Sequence, residues 1–266
     1  MIKKTLLLFS AIALVFGSFN FIHPAEAATT ALADLNAGDL IRGQSLSAVY
    51  YYGKDGFRYV FPNDKTYFTW YSDFDSVKWL TDADLGKVQI GGNVTYKPGI
   101  KMIKINSDPK TYAIGENGAL RWVTSENVAI ALYGSSWNTQ IDDVPDGFFS
   151  NYTMGSDIEN SSDFVPSQET ASAASIDNDK NLKSPYIINL TDSGFSPTSL
   201  NADTGRAIKF VNKGTSKHSA TSEDLLWGSG TLNPDDSFIR YFNNPGNYEY
   251  FCSYHASETG TIIVTE

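Results

Sequence analysis

The stretch that most constrains this chain lies near its C-terminus: Tyr248-Glu249-Tyr250-Phe251-Cys252-Ser253-Tyr254-His255-Ala256-Ser257-Glu258-Thr259-Gly260-Thr261-Ile262-Ile263-Val264. Alternating apolar runs stand on either side of a short polar break, the pattern of two strands joined by a tight turn. The break holds the only cysteine of the protein and, three residues on, one of its three histidines. His218 lies upstream, just after another strand-like run. One thiolate with two imidazoles is the trigonal donor set that holds copper in electron-transfer sites. The Cys-x-x-His spacing alone also fits a small buried hydrophobe beside a surface histidine.

The surrounding blocks separate these readings. Gly194-Phe195-Ser196-Pro197-Thr198-Ser199-Leu200 comes first, and Ile208-Lys209-Phe210-Val211-Asn212-Lys213 leads to His218. Ser229-Gly230-Thr231-Leu232-Asn233-Pro234-Asp235-Asp236-Ser237-Phe238, Pro245-Gly246-Asn247-Tyr248-Glu249-Tyr250 and the Cys252/His255 turn follow. In this order, over 184–266, they resemble the small blue-copper proteins, the cupredoxins of the plastocyanin and amicyanin type. The resemblance implies an antiparallel Greek-key β-sandwich, with strands over 186–190, 207–211, 238–242, 248–251 and 261–264. It also implies one copper ion cycling between Cu(I) and Cu(II), with His218, Cys252 and His255 as equatorial ligands. Asn212 matches the family asparagine that ties the first histidine's segment to the cysteine loop.

One position departs from the family pattern Cys-x-x-His-x-x-Met: Glu258 stands where the axial methionine belongs, and Met1, Met102 and Met154 all lie outside the segment. A ligating carboxylate is a hard anionic donor that favours Cu(II) and lowers the potential. A solvated carboxylate would leave the metal three-coordinate or bound to a backbone oxygen. Both readings remain open at this point.

At the other end, Lys3-Lys4, an apolar run over 6–16 and Ala25-Glu26-Ala27 make the pattern of a secretory signal peptide over 1–27. The run is too short to favour a retained membrane span. The mature protein is therefore expected outside the cytoplasm, in a periplasm, on a cell surface or secreted. The formal charge of −10 excludes nucleic-acid binding by phosphate neutralisation and favours a basic or neutral redox partner. With one cysteine there is no internal disulfide, so stability has to come from packed cores.

The region 38–158 reads as an internally duplicated, aromatic-rich α+β module. Val49-Tyr50-Tyr51-Tyr52-Gly53-Lys54-Asp55-Gly56-Phe57-Arg58-Tyr59-Val60 can be laid on Lys110-Thr111-Tyr112-Ala113-Ile114-Gly115-Glu116-Asn117-Gly118-Ala119-Leu120-Arg121-Trp122-Val123. Each copy offers an apolar run, an Asp-Gly or Asn-Gly turn and a second run, a strong hairpin signal. A short helix is expected after each, over 82–85 capped by Thr81 and over 126–133 capped by Ser125. Gly38-Asp39-Leu40 and Pro98-Gly99-Ile100 open the two halves, a period of about sixty residues. The aromatic residues crowding 50–79 fit either a small core or a stacking surface for cell-surface polysaccharide. The module holds no histidine or cysteine, and no nucleophile–base constellation is recognisable in it.

Residues 159–183, rich in Ser, Ala, Asp and Asn, read as a flexible linker without enough apolar surface to offset ordering. The expectation is thus a mostly β, exported copper-binding protein that transfers single electrons and is not an enzyme, since no further His-rich cluster exists. The alternative is a cell-surface protein whose copper domain binds or stores the metal without a redox role.

Overall fold

Glycine and asparagine at left-handed turns frame the N-terminal half. Gly56 and Gly118 sit at φ 89° and 68°, with Asn117 at 59°, a region where most side chains are strained. In the computed structural model, which describes residues 28–266, the Gly56 and Gly118 turns close two equivalent hairpins. The expected signal peptide and His23 lie outside the described residues.

The first unit runs β1 (Leu40–Arg42), β2 (Val49–Tyr52), β3 (Arg58–Val60), α1 (Asp64–Trp70), β4 (Lys78–Trp79), α2 (Asp82–Lys87) and β5 (Ile90–Asn93). The second repeats the succession as β6 (Met102–Ile105), β7 (Asp108–Gly115), β8 (Ala119–Trp122), α3 (Glu126–Tyr133), β9 (Ile141–Asp143), α4 (Asp146–Phe149) and β10 (Thr153–Met154). Each unit makes a five-stranded sheet, β4-β1-β2-β3-β5 and β9-β6-β7-β8-β10, one order used twice. In both, the central three strands are antiparallel and the two outer strands join parallel.

The helices are matched differently from the sequence expectation. Thr81 and Ser125 do cap helices, each accepting a backbone N–H, but they begin α2 and α3, which occupy different places in the repeat. The true partner of α3 is α1, capped by Asn63, whose side chain accepts from the Thr66 amide. Helix α1 is hard to read because Tyr67, Phe68 and Trp70 favour strands; burial of Thr66, Tyr67 and Thr69 overrides that preference.

The segment 159–183 is not a flexible linker, which corrects the sequence reading. It forms α5 (Pro166–Ser172) and α6 (Ile176–Asp179) and buries Phe164, Ala173 and Ile176. These few apolar residues need no core of their own: Phe164 enters the second unit's core and Ile176 the first's. The acidic residues strap the two hairpin turns. Asp177 accepts from the Lys54 amide, Glu169 from Glu116 and Asp179 from Asn117, each at 2.9 Å. Such bonds satisfy turn N–H groups that would otherwise be orphaned.

The C-terminal part is a β-sandwich. Its strands are β11 (Tyr186–Thr191), β12 (Gly194–Ser196), β13 (Ser199–Asp203), β14 (Ala207–Asn212), β15 (Thr221–Ser222), β16 (Ser237–Tyr241), β17 (Gly246–Cys252) and β18 (His255–Thr265). They form two four-stranded sheets, β12-β11-β14-β16 and β13-β18-β17-β15. Ile188, Phe210, Tyr250 and Ile262 fill the space between them. Each sheet contains one parallel pairing, β11 with β14 and β13 with β18, so the sandwich is not purely antiparallel.

Strand β16 is the outer strand of its sheet, and the first unit covers it. Phe57 stacks on Tyr241 with ring centres 5.5 Å apart, and Ile239 and Ala207 join the cluster around Tyr51 and Tyr59. The buried Asp55 carboxylate accepts from the Tyr59 and Tyr241 hydroxyls, at 2.6 and 2.7 Å, and burial raises its pKa despite those bonds. The two halves therefore share packed surface.

Candidate metal centre

The β17–β18 hairpin brings two donors together with only Ser253 and Tyr254 between them. Cys252 ends β17, His255 begins β18, and the two residues pair across the turn, with an irregularity at Phe251/Cys252. Period-two alternation turns Tyr250 and Cys252 to the same face, and both are fully buried. His218, also fully buried, is held by a bridge in which its amide and that of Leu232 each donate to the other's carbonyl.

The structure places Cys252 Sγ 3.7 Å from His218 Nδ1 and 3.6 Å from His255 Nδ1. Two donors bonded to one first-row metal ion at about 2.0 and 2.3 Å, with a trigonal angle, lie about 3.7 Å apart. The three groups are thus spaced for a shared ion. Glu258 faces the same point rather than water: its side chain is 13 % exposed, with Oε2 3.2 Å from His218 Nδ1 and Oε1 3.4 Å from His255 Nδ1. All four donor atoms lie within 4.8 Å of one another. One thiol sulfur, two imidazole nitrogens and a weakly placed oxygen match the preferences of copper.

The surrounding bonds differ in part from the sequence reading. Asn212 donates to the Ser216 and Leu232 carbonyls and accepts from the Gly214 amide, bracing the approach to His218 without touching the cysteine loop. The tie that the resemblance implies for Asn212 is made by Ser219. Its amide donates to Cys252 Sγ at 3.4 Å, and its hydroxyl oxygen accepts from the Ser253 amide at 2.8 Å. Adjacency to His218 was the available signal. Asp192 was also missed: Oδ1 lies 3.5 Å from His218 Nε2. Its carboxylate accepts from Thr215 and Ser216, and those bonds hold its pKa well below the ordinary range. Nothing in the spacing of Asp192 from the ligands marks it.

Only His255 among the three equatorial candidates reaches the surface, its side chain 40 % exposed. In the N-terminal half, Asp142 pairs with Lys101 at 3.0 Å and Asp143 with Lys104 at 3.3 Å. Among the described residues, no helix is long and apolar enough to cross a membrane.

Comparison with known proteins gives the following. A family model described as a cupredoxin-like domain matches residues 168–264, beginning upstream of Ser184. A search of curated proteins found no match. Among solved structures, a purple cupredoxin from Nitrosopumilus maritimus is 26 % identical over 30 % of this chain and 99 % of its own, with a TM-score of 0.29. A copper-containing nitrite reductase from Thermus scotoductus is 25 % identical over 31 % of this chain and 22 % of its own, TM-score 0.30. A mutant amicyanin in its Cu(I) form is 15 % identical over 30 % of this chain and 82 % of its own, TM-score 0.29. Residues 168–264, with the two-sheet sandwich and the Cys252 hairpin inside them, are a cupredoxin-like domain at the C-terminus of this chain.

Proposed function

We propose that this protein carries single electrons on one copper ion that His218, Cys252 and His255 would hold, with Glu258 as a fourth donor. The observation that carries this reading is the pair of sulfur–nitrogen separations, 3.7 and 3.6 Å, set by the β17–β18 hairpin and by the backbone bridge between His218 and Leu232. Bound copper supplies a couple that gains or loses one electron without a bond being made or broken.

Each residue has a distinct task. Cys252 provides the thiolate in a site closed to water, and the Ser219 amide supports its negative charge. His218 is fixed from behind by Asp192, so its Nδ1 edge stays turned inward. His255 presents an imidazole edge to solvent and is the route by which a docked partner exchanges the electron. Glu258 adds a hard anionic oxygen, which biases the site toward Cu(II). The reading makes the chain a carrier rather than an enzyme, exported by its leader and served by a basic or neutral redox protein, in keeping with a net charge of −10.

The test is copper titration of the purified chain. One equivalent should produce an intense visible thiolate-to-Cu(II) band, absent in Cys252→Ser. A colourless copper-loaded wild type would overturn the reading. A coloured site that no mild reductant can reduce would instead support the alternative, copper binding without a redox role.

A further inference from the structure

The N-terminal half contains two clefts in the same place, one per repeat. In the first unit a cleft of about 520 Å³ opens between the start of β2 at Val49, the end of β3 at Val60 and the entry to α1, with Phe74 as its wall. In the second, a cleft of about 220 Å³ is lined by Thr111, Trp122, the entry to α3 and Trp137. The correspondence is positional. Val60 and Trp122 are the cross-strand partners of Tyr50 and Tyr112, and Asn63 and Ser125 are the equivalent helix caps. Asp64 and Glu126 follow those caps on the rim. Thus the two repeats fill these positions with different residues and still leave a gap with an aromatic wall and a carboxylate on its rim, joined in the second by Lys110.

We infer that these clefts are a tandem pair of saccharide sites for a neutral polysaccharide. A site built twice in one chain suits a ligand that repeats itself. Pyranose rings carry apolar C–H faces bordered by hydroxyls, and flat aromatic side chains with polar neighbours complement both. Phe74 stacks one face on Tyr67, with ring centres 4.3 Å apart, yet remains 48 % exposed beside Phe68 at 50 %. Core residues do not keep such faces in water; Phe68, outside the cleft lining, meets Phe74 edge to face with ring centres 5.4 Å apart and extends the exposed apolar patch. Asp64 and Glu126 would accept hydrogen bonds from sugar hydroxyls, and on the first cleft, whose lining has Asp64 and no cation, the chain's acidity disfavours polyanionic glycans. The first cleft also borrows Phe148 from the second repeat, which fixes its far side.

The clefts are unequal. Lys110 lies over the Trp122 ring at 4.3 Å, whereas the first cleft has the small Ala48 at the position of Lys110 and is wider. The first cleft is therefore the stronger site. Neither cleft includes a copper donor, so the inference stands or falls independently of the electron-transfer reading.

The test uses the full metal-free chain, titrated calorimetrically with cellohexaose and chitohexaose as neutral probes and with an alginate hexamer as the anionic control. At least one neutral hexamer should bind, and the alginate should not. Phe74→Ala should weaken the stronger phase about tenfold or more, as loss of an aromatic anchor does. Trp137→Ala should remove the weaker phase along with any change in tryptophan emission, and the double variant should not bind. Far-ultraviolet circular dichroism and copper uptake should match wild type in all three variants, which separates loss of the site from loss of the fold. Failure of both neutral hexamers, a preference for alginate, or binding that survives in the folded double variant would overturn the inference.

Discussion

Gln89 and Ile239 exchange two hydrogen bonds: the Gln89 amide nitrogen donates to the Ile239 carbonyl at 3.0 Å, and the Ile239 amide donates to Gln89 Oε1 at 2.6 Å. A single side chain thereby does at the edge of β16 what a neighbouring strand would do. Gln89→Ala leaves both groups without partners at a partly buried junction, so it should cost about 1–3 kcal/mol in urea unfolding. A change within ~0.3 kcal/mol would show that water replaces the side chain fully.

The same junction governs what a cut between the helices can do. Because Asp177, Asp179 and Glu169 bind the two hairpin turns and the first unit packs on β16, cleavage between Ser172 and Ile176 should leave two pieces that elute together from a sizing column. Separation into two species in native buffer would contradict the shared surface.

At the metal centre, Glu258→Met exchanges a hard anionic oxygen for a soft neutral sulfur at the same place in the set. The reduction potential of the copper-loaded protein should rise, and the visible spectrum should shift. Protein-film voltammetry of both forms reads the difference directly; equal potentials and spectra would mean that the carboxylate does not bind the copper.

Ser219→Ala removes the acceptor for the Ser253 amide but keeps the amide that faces Cys252 Sγ. We expect a loss of about 1 kcal/mol in stability with the position of the thiolate band preserved. Faster copper loss to a chelator should accompany it, because the turn between the two ligands is less restrained. A large shift of the band would instead show that the hydroxyl acts on the sulfur.

Asp179 is buried where α6 meets the second hairpin, and burial raises its pKa from 3.8 to about 6. Above that pH the ionised carboxylate weighs against the fold. As pH falls through about 6 toward 3.8, the folded protein takes up the proton before the unfolded chain does, so this residue's contribution to stability increases. Asp179→Asn should therefore be more stable than wild type near neutrality by as much as ~3 kcal/mol, with the advantage vanishing below pH 4. Denaturant midpoints across that range check it; a variant that is less stable at neutral pH would mean that the negative charge itself holds the Asn117 amide.

How much of this was legible follows from what kind of pattern each part leaves. That Cys252, His255 and His218 would come together was readable because strand alternation and a two-residue turn force Cys252 and His255 into one place, and because the blocks around His218 keep their order. The duplicated hairpins were readable because Asp55-Gly56 and Asn117-Gly118 are turn signals that act locally. Residues 159–183 were misread because composition reports whether a segment can build its own core, whereas this one works through carboxylates on other segments' backbone. Ser219 and Asp192 escaped for a related reason: each acts through one hydrogen bond across the fold. The short strands β12 and β15, three and two residues long, carry too little alternation to stand out.

The covering of β16 has a consequence for how the exposed His255 edge can be used. A redox centre on a slack tether sweeps a volume and can meet its partner from any side. Here the sandwich is clamped to a second body, so the direction in which His255 points is fixed relative to the two N-terminal sheets. Whatever holds those sheets in place also aims the imidazole. On the electron-transfer reading proposed above, a partner would have to approach along one bearing, set by the surface that covers β16.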